Sequence, residues 1–274
     1  MRAAVAEAPG PLRAACRRLA RIIAILLASV VLMPLQWLVM RFTRGPNAFV
    51  VPRWWFGCLR RAMGIQVEMI GTPRTGGGTL LVGNHLSHYD IVVLGSLLPA
   101  RFIAKDQMQG WPGMKFVGEL AQTLYISRRQ RDAAAVAAQL GAQLRGDHDL
   151  VLFPEGTTSS GERVAPFKSS LFALFLQRPA GAPGWTLQPF TQQLLSVDGV
   201  ALDAGGDRAA YAFHGEMRAG PHVKHFLGLS GARVRVTFHP PVTIGDGVDR
   251  KALALRLHAI VAGALPTHAE PVGG

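Results

Sequence analysis

A histidine and an aspartate in the run NHLSHYD are the side chains in this sequence best suited to moving a proton. His85 and Asp90 stand five residues apart. On a regular helix this spacing would turn them roughly 140° away from each other, so they can meet only if the chain bends. Ser87 and Asp90 match the S-x-x-D pattern of a helix start, and such a start can return the carboxylate to the imidazole. Neutral imidazole can then take a proton from a hydroxyl near pH 7, while the carboxylate fixes its tautomer.

Two other interpretations of the same run stay open at this point. Ser87 and Asp90 could serve only as a helix cap, with His85 incidental to both. A zinc site could use His85, His88 and Asp90, but the sequence offers no convincing further ligand and no HExxH pattern. The spacing alone therefore does not decide between catalysis, capping and metal binding.

Two further runs are suited to binding an anion. In DLVLFPEGTTSSG, the residues Glu155, Gly156 and Thr157 follow an apolar strand, where backbone N–H groups and hydroxyls can face an anionic group. Glu155 fits such a site only by bonding a hydroxyl or a cation. In TLYISRR, Arg128 closes another apolar strand, and its guanidinium matches the geometry of phosphate oxygens. Taken singly, the first run can equally be a surface turn and the second a charged rim.

The charge balance indicates an anionic partner. The chain has 29 Lys and Arg against 17 Asp and Glu, a formal net charge of +12. An anionic lipid surface is favoured over nucleic acid, because neither an RNP-like stretch nor a helix-turn-helix signal is present. Cys16 and Cys58 are the only cysteines, which is typical of a reducing compartment and argues against a disulfide or a thiolate zinc site.

Residues 22–40 form an uncharged apolar stretch of about the length that crosses a hydrocarbon core. Arginines flank it on both sides, so the positive-inside rule places both ends in the cytoplasm. Pro34 lies inside the stretch, and we expect it to break the segment into two short helices that enter the bilayer and return. A simple span is the alternative. Trp54 and Trp55, in the linker that follows, suit a membrane interface. No A-x-A site follows the stretch, which argues against a cleaved signal peptide.

Beyond the anchor, short apolar runs alternate with amphipathic ones, which predicts an α/β fold. The glycine-rich residues 71–78 are expected to form a tight loop between two strands. The expected strands are residues 65–70, 79–83, 101–104, 123–126, 150–153, 187–195 and 232–238, and the expected helices are residues 89–97, 131–144, 167–176 and 250–264.

The runs NHLSHYD, TLYISRR, FPEGTTS, APFKSSLF and LQPFTQ, in this order, resemble the glycerolipid acyltransferase family, which contains 1-acyl-glycerol-3-phosphate acyltransferases. The resemblance spans residues 66–241. It implies a mixed sheet flanked by helices in residues 61–274, after a basic arm and helical membrane anchor in residues 1–60. One departure is Gln122, where the family's second block usually opens with glycine. The resemblance implies a catalytic pair, His85 and Asp90, a substrate-binding set, Arg128, Glu155, Gly156 and Thr157, and a further lysine near the site, Lys105.

The same resemblance implies transfer of a fatty acyl group from acyl-CoA or acyl carrier protein to the sn-2 hydroxyl of 1-acyl-glycerol-3-phosphate. The product would be phosphatidic acid, made at the cytoplasmic face of a bacterial inner membrane. The implied partners are membrane lipids, the lysophospholipid acceptor and the acyl donor, with no cofactor, metal or nucleic acid.

Three alternatives remain. The stretch YAFHGEM resembles a bacterial subgroup that includes lyso-ornithine lipid acyltransferases, and there His214 and His222 are expected to be structural or interfacial. A non-catalytic lipid-binding protein would be preferred if the histidine or aspartate were missing. A serine hydrolase is disfavoured because no GxSxG motif occurs.

Overall fold

The computed structural model describes residues 10–43, 48–106, 114–127, 129, 132–146, 148–176, 184–245 and 247–266. Helices and strands alternate along most of the chain after two N-terminal helices, which confirms the expected α/β class. The helices are α1 (Pro11–Phe42), α2 (Val50–Ala62), α3 (Tyr89–Leu97), α4 (Met114–Leu120), α5 (Ala133–Arg145), α6 (Ser169–Leu176), α7 (Ala219–Phe226) and α8 (Arg250–Ala262). The strands are β1 (Ile65–Ile70), β2 (Thr79–Gly83), β3 (Ala100–Lys105), β4 (Leu124–Ile126), β5 (Asp149–Leu152), β6 (Trp185–Val197), β7 (Val200–Ala201), β8 (Ala232–Phe238) and β9 (Val242–Ile244).

The strands form a mixed sheet in the order β1-β8-β6-β2-β5-β3-β4, with β7 and β9 pairing with β6. The four neighbours β2, β5, β3 and β4 are parallel to one another, so their carboxyl ends meet at one edge. Although residues 71–78 connect β1 to β2, these strands are not neighbours, because β8 and β6 lie between them. In open sheets of this kind, substrates bind outside the carboxyl ends of parallel strands.

Alternating side chains of the central strands face two separate apolar layers. In β2, Leu80 and Val82 point to one layer, whereas Leu81 points to the other. Helices α5, α6 and α8 cover the first layer, through Leu140, Phe172 and Leu257. The second layer is covered by α3 and α7, through Val93, Leu94 and Phe226. The sheet is therefore buried on both faces, which leaves its strand ends as the place for chemistry.

The expected break at Pro34 is wrong, because α1 is one continuous helix of 32 residues that contains this proline. By length and composition it is a helix that could cross a membrane. Most of its apolar side chains are exposed, including Leu27 and Val30. Ser29 and Gln36, on the side that faces the rest of the protein, bond to α2 and to the ends of neighbouring segments. The side of α1 that faces the protein is therefore bonded both before and after Pro34.

The linker expected around Trp54 and Trp55 is the helix α2. Pro52 lies in its first turn, where no preceding helical carbonyl needs its N–H. Phe56 and Leu59 pack in a small apolar cluster with Val92 of α3, and the indole of Trp55 donates to Ser29 of α1. The exposed Trp54 stays on the outer surface. Helix α2 therefore connects the N-terminal helix to the helix that carries Asp90.

Candidate active site

The loop after β2 holds His85 in place through its neighbours on both sides. Asn84 extends the pairing of β2 with β6, because its side-chain amide donates to the carbonyl of Gln192 at 2.8 Å and its side-chain oxygen accepts from the Gln192 N–H at 2.7 Å. The Gln192 side chain donates in turn to the Asn84 carbonyl. Both residues are buried. The run NHLSHYD thus begins with a rigid attachment to the sheet.

The structure brings His85 and Asp90 together. His85 Nδ1 lies 2.7 Å from Asp90 Oδ2, and the same oxygen accepts the backbone N–H groups of Leu86 at 2.6 Å and Ser87 at 3.1 Å. Asp90 is fully buried, whereas the imidazole remains 19% exposed. Since Nδ1 is occupied by the carboxylate, Nε2 is the ring nitrogen available to a substrate. This is the arrangement of a general base oriented by a carboxylate.

The helix start between these residues differs from the expected S-x-x-D cap. The cap position of α3 is His88, no side chain caps its N–H groups, and the hydroxyl of Ser87 has no partner among the described residues. Asp90, in the first turn, instead reaches back to the two N–H groups that precede the helix. Asp90 therefore fixes the bend before the helix, as the capping interpretation expects, but the same oxygen also bonds the imidazole, and Ser87 does not cap the helix.

Glu155 fixes the backbone of His85 and of its own loop. Its Oε1 accepts the His85 N–H at 2.7 Å, and its Oε2 accepts the Ala165 N–H at 2.9 Å. Burial raises the pKa of Glu155, against the lowering effect of these N–H groups. The carbonyl of the same residue, His85, accepts the Ser159 N–H at 2.9 Å. Glu155 is only 2% exposed, so it can influence a substrate through the loop it shapes.

The histidine ring rests against the strand that leads into this loop. Its centroid lies 4.0 Å from that of Phe153, and the two planes differ by 8°. Phe153 follows β5, the parallel neighbour of β2. Stacking and the bond to Asp90 together restrict the orientation of the imidazole.

The other expected binding residues follow the same edge of the sheet as far as the structure describes them. Lys105 is the last residue of β3, and its backbone pairs with Ile126 at the end of β4. Arg128 comes two residues after β4 in the sequence and lies outside the described residues. Gly156 and the exposed Thr157 are in the loop after β5. The roles of these residues in substrate binding stay predictions.

The glutamine that departs from the family pattern lies in the turn before β4. Gln122 has a φ of 55°, in the left-handed region that favours glycine. Its side chain donates to the Ala48 carbonyl at 3.0 Å and accepts from Arg101 at 3.1 Å. These bonds offset part of the backbone strain, so glutamine meets the conformational requirement that glycine would meet without a side chain.

One cation near the loop was not singled out by the sequence analysis. The backbone N–H of Lys168 donates to the Pro154 carbonyl, and its ammonium nitrogen lies 2.7 Å from where a Cβ on Gly156 would be. Gly156 has a φ of 73°, a backbone conformation that favours glycine, and a side chain there would displace the ammonium group of Lys168. Lys168 is exposed and, in the described part of the chain, has no ion pair. The signal available in the sequence was its place in the block APFKSSLF.

The second histidine of the motif lies in a group of buried aromatic rings. Burial, with smaller contributions from His222 and His85, lowers the pKa of His88 to about 4, so the ring is neutral near pH 7. It packs against Tyr89, Phe213 and His222. Among the described residues, no cluster of three His, Cys, Asp or Glu side chains could hold a metal ion.

The chain is similar to known proteins over most of its length. The family model described as Acyltransferase matches residues 64–191, which include both the His85 and Glu155 loops. The lyso-ornithine lipid O-acyltransferase of Brucella abortus is 33% identical over 229 residues, covering 82% of this chain and 85% of that protein. This chain belongs to the acyltransferase family. The acyltransferase is also 28% identical to the 1-acyl-sn-glycerol-3-phosphate acyltransferase of Neisseria meningitidis, covering 66% of this chain and 67% of that one.

A solved structure extends the comparison to the whole fold. The crystal structure of the 1-acyl-sn-glycerophosphate acyltransferase of Thermotoga maritima matches with a TM-score of 0.63 at 16% identity. The match covers 92% of this chain and 96% of the other. The acyltransferase thus has the expected fold, a mixed sheet flanked by helices behind a long apolar N-terminal helix that is a candidate membrane anchor. Its reaction is the acylation of a lysolipid.

Proposed function

We propose that this acyltransferase transfers a fatty acyl group from a carrier thioester to the free hydroxyl of lyso-ornithine lipid. The observation that carries the chemistry is the His85–Asp90 bond of 2.7 Å, beside an imidazole that remains partly exposed. The acceptor is supported by relatives named lyso-ornithine lipid O-acyltransferase, among them that of Pseudomonas aeruginosa, 32% identical over 86% of this chain. It is supported further by the YAFHGEM stretch, which resembles the subgroup that includes lyso-ornithine lipid acyltransferases.

The mechanism needs no acyl-enzyme. Nε2 of His85 takes the proton of the acceptor hydroxyl as its oxygen attacks the thioester carbonyl. Asp90 stabilises the imidazolium that forms. As the tetrahedral intermediate collapses, the C–S bond breaks and the leaving thiolate takes the proton from His85. Acyl-CoA or acyl carrier protein would supply the thioester, and no step calls for a cofactor.

Lysophosphatidate, which the sequence analysis favoured, remains the second candidate. It is supported by the relative from Neisseria meningitidis and by Arg128, whose guanidinium suits a phosphomonoester. The exposed ammonium of Lys168 beside Gly156 suits either acceptor, because both a phosphate and an amino-acid carboxylate are anionic. The acceptors differ in that only lysophosphatidate presents a phosphate.

Offering the purified full chain a panel of lysolipids with acyl-CoA or acyl carrier protein separates these candidates. We expect lyso-ornithine lipid to be acylated, with little inhibition by inorganic phosphate, when products are identified by mass spectrometry. If lysophosphatidate is the acceptor instead, phosphate should compete. Arg128→Lys should then raise KM markedly, because a point charge cannot replace a bidentate contact. Turnover of lysophosphatidate alone would overturn the proposed acceptor. Thioester hydrolysis without any acylated lipid would overturn the proposed acyl transfer.

We further propose that α1 lies along the cytoplasmic surface of a bacterial inner membrane and does not span it. Near its start, Arg17 and Arg21 donate to carbonyls at residues 226–230, and near its end Gln36 donates to the carbonyls of Ala48 and Leu120. Nineteen residues of helix separate Arg17 from Gln36, about 28 Å, close to the thickness of a hydrocarbon core. A helix crossing upright would therefore draw the attached domain into the bilayer.

Thiol labelling should locate both ends of α1 on one side of the membrane. Cys16 is exposed near the start of the helix, and Thr43→Cys in a Cys16→Ser, Cys58→Ser background marks its end. In inside-out vesicles we expect an impermeant maleimide to reach both positions, and high salt to leave the full chain bound through its exposed apolar face. Labelling of the two positions from opposite sides would contradict the proposal, as would a chain found entirely in the soluble fraction at low salt.

A further inference from the structure

A group of buried polar side chains, which we call the inner polar cluster, lies around the catalytic aspartate. Among the described residues, six of its atoms are buried and have no hydrogen-bond partner. Buried polar atoms are normally paired, because an unpaired one loses its bonds to water without replacement. The atoms are Ser87 Oγ, His88 Nε2, Tyr89 Oη, Asp90 Oδ1, Tyr211 Oη and His222 Nδ1.

The two oxygens of Asp90 are used very differently. Oδ2 accepts three hydrogen bonds, including the one from His85, whereas Oδ1 accepts none from the described residues. The residue is fully buried. A buried carboxylate is stabilised by donors on each oxygen, so Oδ1 is the atom of the catalytic pair that most needs a further donor.

Tyr211, the first residue of the YAFHGEM stretch, has an unused donor in the same region. Its side chain is fully buried, and its hydroxyl has no partner in the described part of the chain. The segment is held against the catalytic motif, because the Phe213 N–H donates to the Leu86 carbonyl at 2.9 Å. Burial, and then the charge of Asp90, raise the pKa of Tyr211, so its hydroxyl keeps its proton and remains a donor.

The neighbouring Tyr89 provides a comparison within the same cluster. Its ring lies 5.3 Å from that of Tyr211, it is equally buried, and its hydroxyl is likewise unpartnered among the described residues. Burial alone raises the pKa of Tyr89, with no contribution from Asp90. Tyr89 and Asp90 are consecutive residues of α3, so their side chains point about 100° apart around the helix axis, whereas Tyr211 approaches the motif from a separate segment.

We propose that Tyr211 is a positioning residue for the catalytic pair, whose hydroxyl donates toward Oδ1 of Asp90 through a bridging water molecule. The bridge would place donors on both oxygens of the carboxylate and hold Oδ2 toward His85. Buried polar sites with several unpaired groups commonly hold such a water. The proposal rests on the proposed function, because it assigns Tyr211 to the same proton transfer. It gives the YAFHGEM stretch a role in the chemistry that is independent of the acceptor headgroup.

Tyr211→Phe tests this role, with Tyr89→Phe as the matched control, since each change removes one buried hydroxyl from the same cluster. We expect Tyr211→Phe to lower kcat roughly tenfold with KM nearly unchanged, the effect of a lost hydrogen bond to a charged group. The acid limb of its pH profile should move to higher pH. Without the hydrogen bond from Tyr211, more of the negative charge of Asp90 lies on Oδ2, which faces the imidazole and stabilises its protonated form. Tyr89→Phe should keep the wild-type kcat and pH profile.

A second measurement does not depend on turnover. With ¹⁵N-labelled histidine in the full chain in detergent micelles, Tyr211→Phe should shift the His85 Nδ1–H resonance, whereas Tyr89→Phe should leave it in place. Ser87→Ala tests whether the hydroxyl of Ser87, the donor that could replace Tyr211 beside Asp90, has this role instead. An unchanged His85 resonance and kcat in Tyr211→Phe, or the same changes in Tyr89→Phe or Ser87→Ala, would overturn the role of Tyr211. A wild-type chain that acylates no lysolipid would overturn the proposed function separately, since the resonance still reports on Tyr211.

Discussion

Replacing His85 with alanine should lower kcat by about 10²- to 10⁴-fold, the usual effect of losing a general base. The base is required because a hydroxyl must lose its proton as it attacks the thioester. His85 Nε2 is the nitrogen that can take that proton, since Nδ1 is held 2.7 Å from Asp90. The KM for the lysolipid should change little, because the headgroup is expected to be held by other residues along the strand ends. Steady-state kinetics of the purified chain measure both parameters.

Two further variants separate the loss of the base from a loss of structure. Alanine would remove the ring that stacks on Phe153 and leave the buried Asp90 without its imidazole partner, so some destabilisation is expected. His85→Gln keeps an amide N–H that can donate to Asp90 but provides no base, and should be equally inactive with a Tm close to wild type. His225→Ala, at an exposed position on α7, should be fully active. Near-normal turnover by a folded His85→Ala protein would rule out the mechanism.

The parts of the site that depend on local geometry could be predicted from the sequence. The bend between His85 and Asp90 arises within six residues, and the start of α3 at Tyr89 and its end at Leu97 agree with the expected helix. Alternating or continuous apolar runs also located the central strands, although β6 proved longer than expected, at 13 residues. In each case the signal was contained in a short stretch of chain.

Features that depend on distant partners could not be predicted in this way. The carboxylate of Glu155 bonds the backbone of a residue 70 positions earlier, so the sequence indicated a binding role without indicating what the side chain itself contacts. The YAFHGEM segment lies against the motif because the Phe213 N–H donates to the carbonyl of Leu86, more than 120 residues earlier. The separation of β1 from β2 by β8 and β6 likewise depends on strands more than 100 residues later in the chain. No local pattern encodes these pairings.

Two expectations near the N-terminus, the break at Pro34 and the linker after α1, were wrong. Pro34 lacks the N–H that would continue the helix, which predicts a break, yet contacts on both sides of it hold α1 straight enough to continue. The linker expected around Trp54 and Trp55 is instead the helix α2, whose Pro52 lies in the first turn, where proline is tolerated. In α1 tertiary contacts outweighed the local preference of proline, and in α2 the position of the proline within the helix did so. A prediction from propensity includes neither.

Asp90→Asn should lower kcat by about 10²- to 10⁴-fold while leaving the fold at least as stable. The amide oxygen can occupy the place of Oδ2 and still accept the N–H groups of Leu86 and Ser87, so the bend before α3 is preserved. What disappears is the negative charge that stabilises the imidazolium. If the amide turns the other way, its NH₂ faces His85 and favours the wrong tautomer. Both orientations remove the base function, and replacing a buried charge by a neutral amide also removes the cost of desolvating it.

This outcome distinguishes catalysis from a purely structural role of Asp90. If the aspartate served only to fix the helix start, the amide would fill the same place and kcat per folded molecule would remain normal. Asp249→Asn provides the control, because Asp249 caps α8 by accepting the N–H groups of Lys251 and Ala252 at an exposed position. It should lose about 1 kcal/mol of stability at most and keep its activity. Kinetics and thermal unfolding of the two variants should therefore give opposite results: Asp90→Asn loses turnover and keeps its stability, whereas Asp249→Asn keeps turnover and loses a little stability.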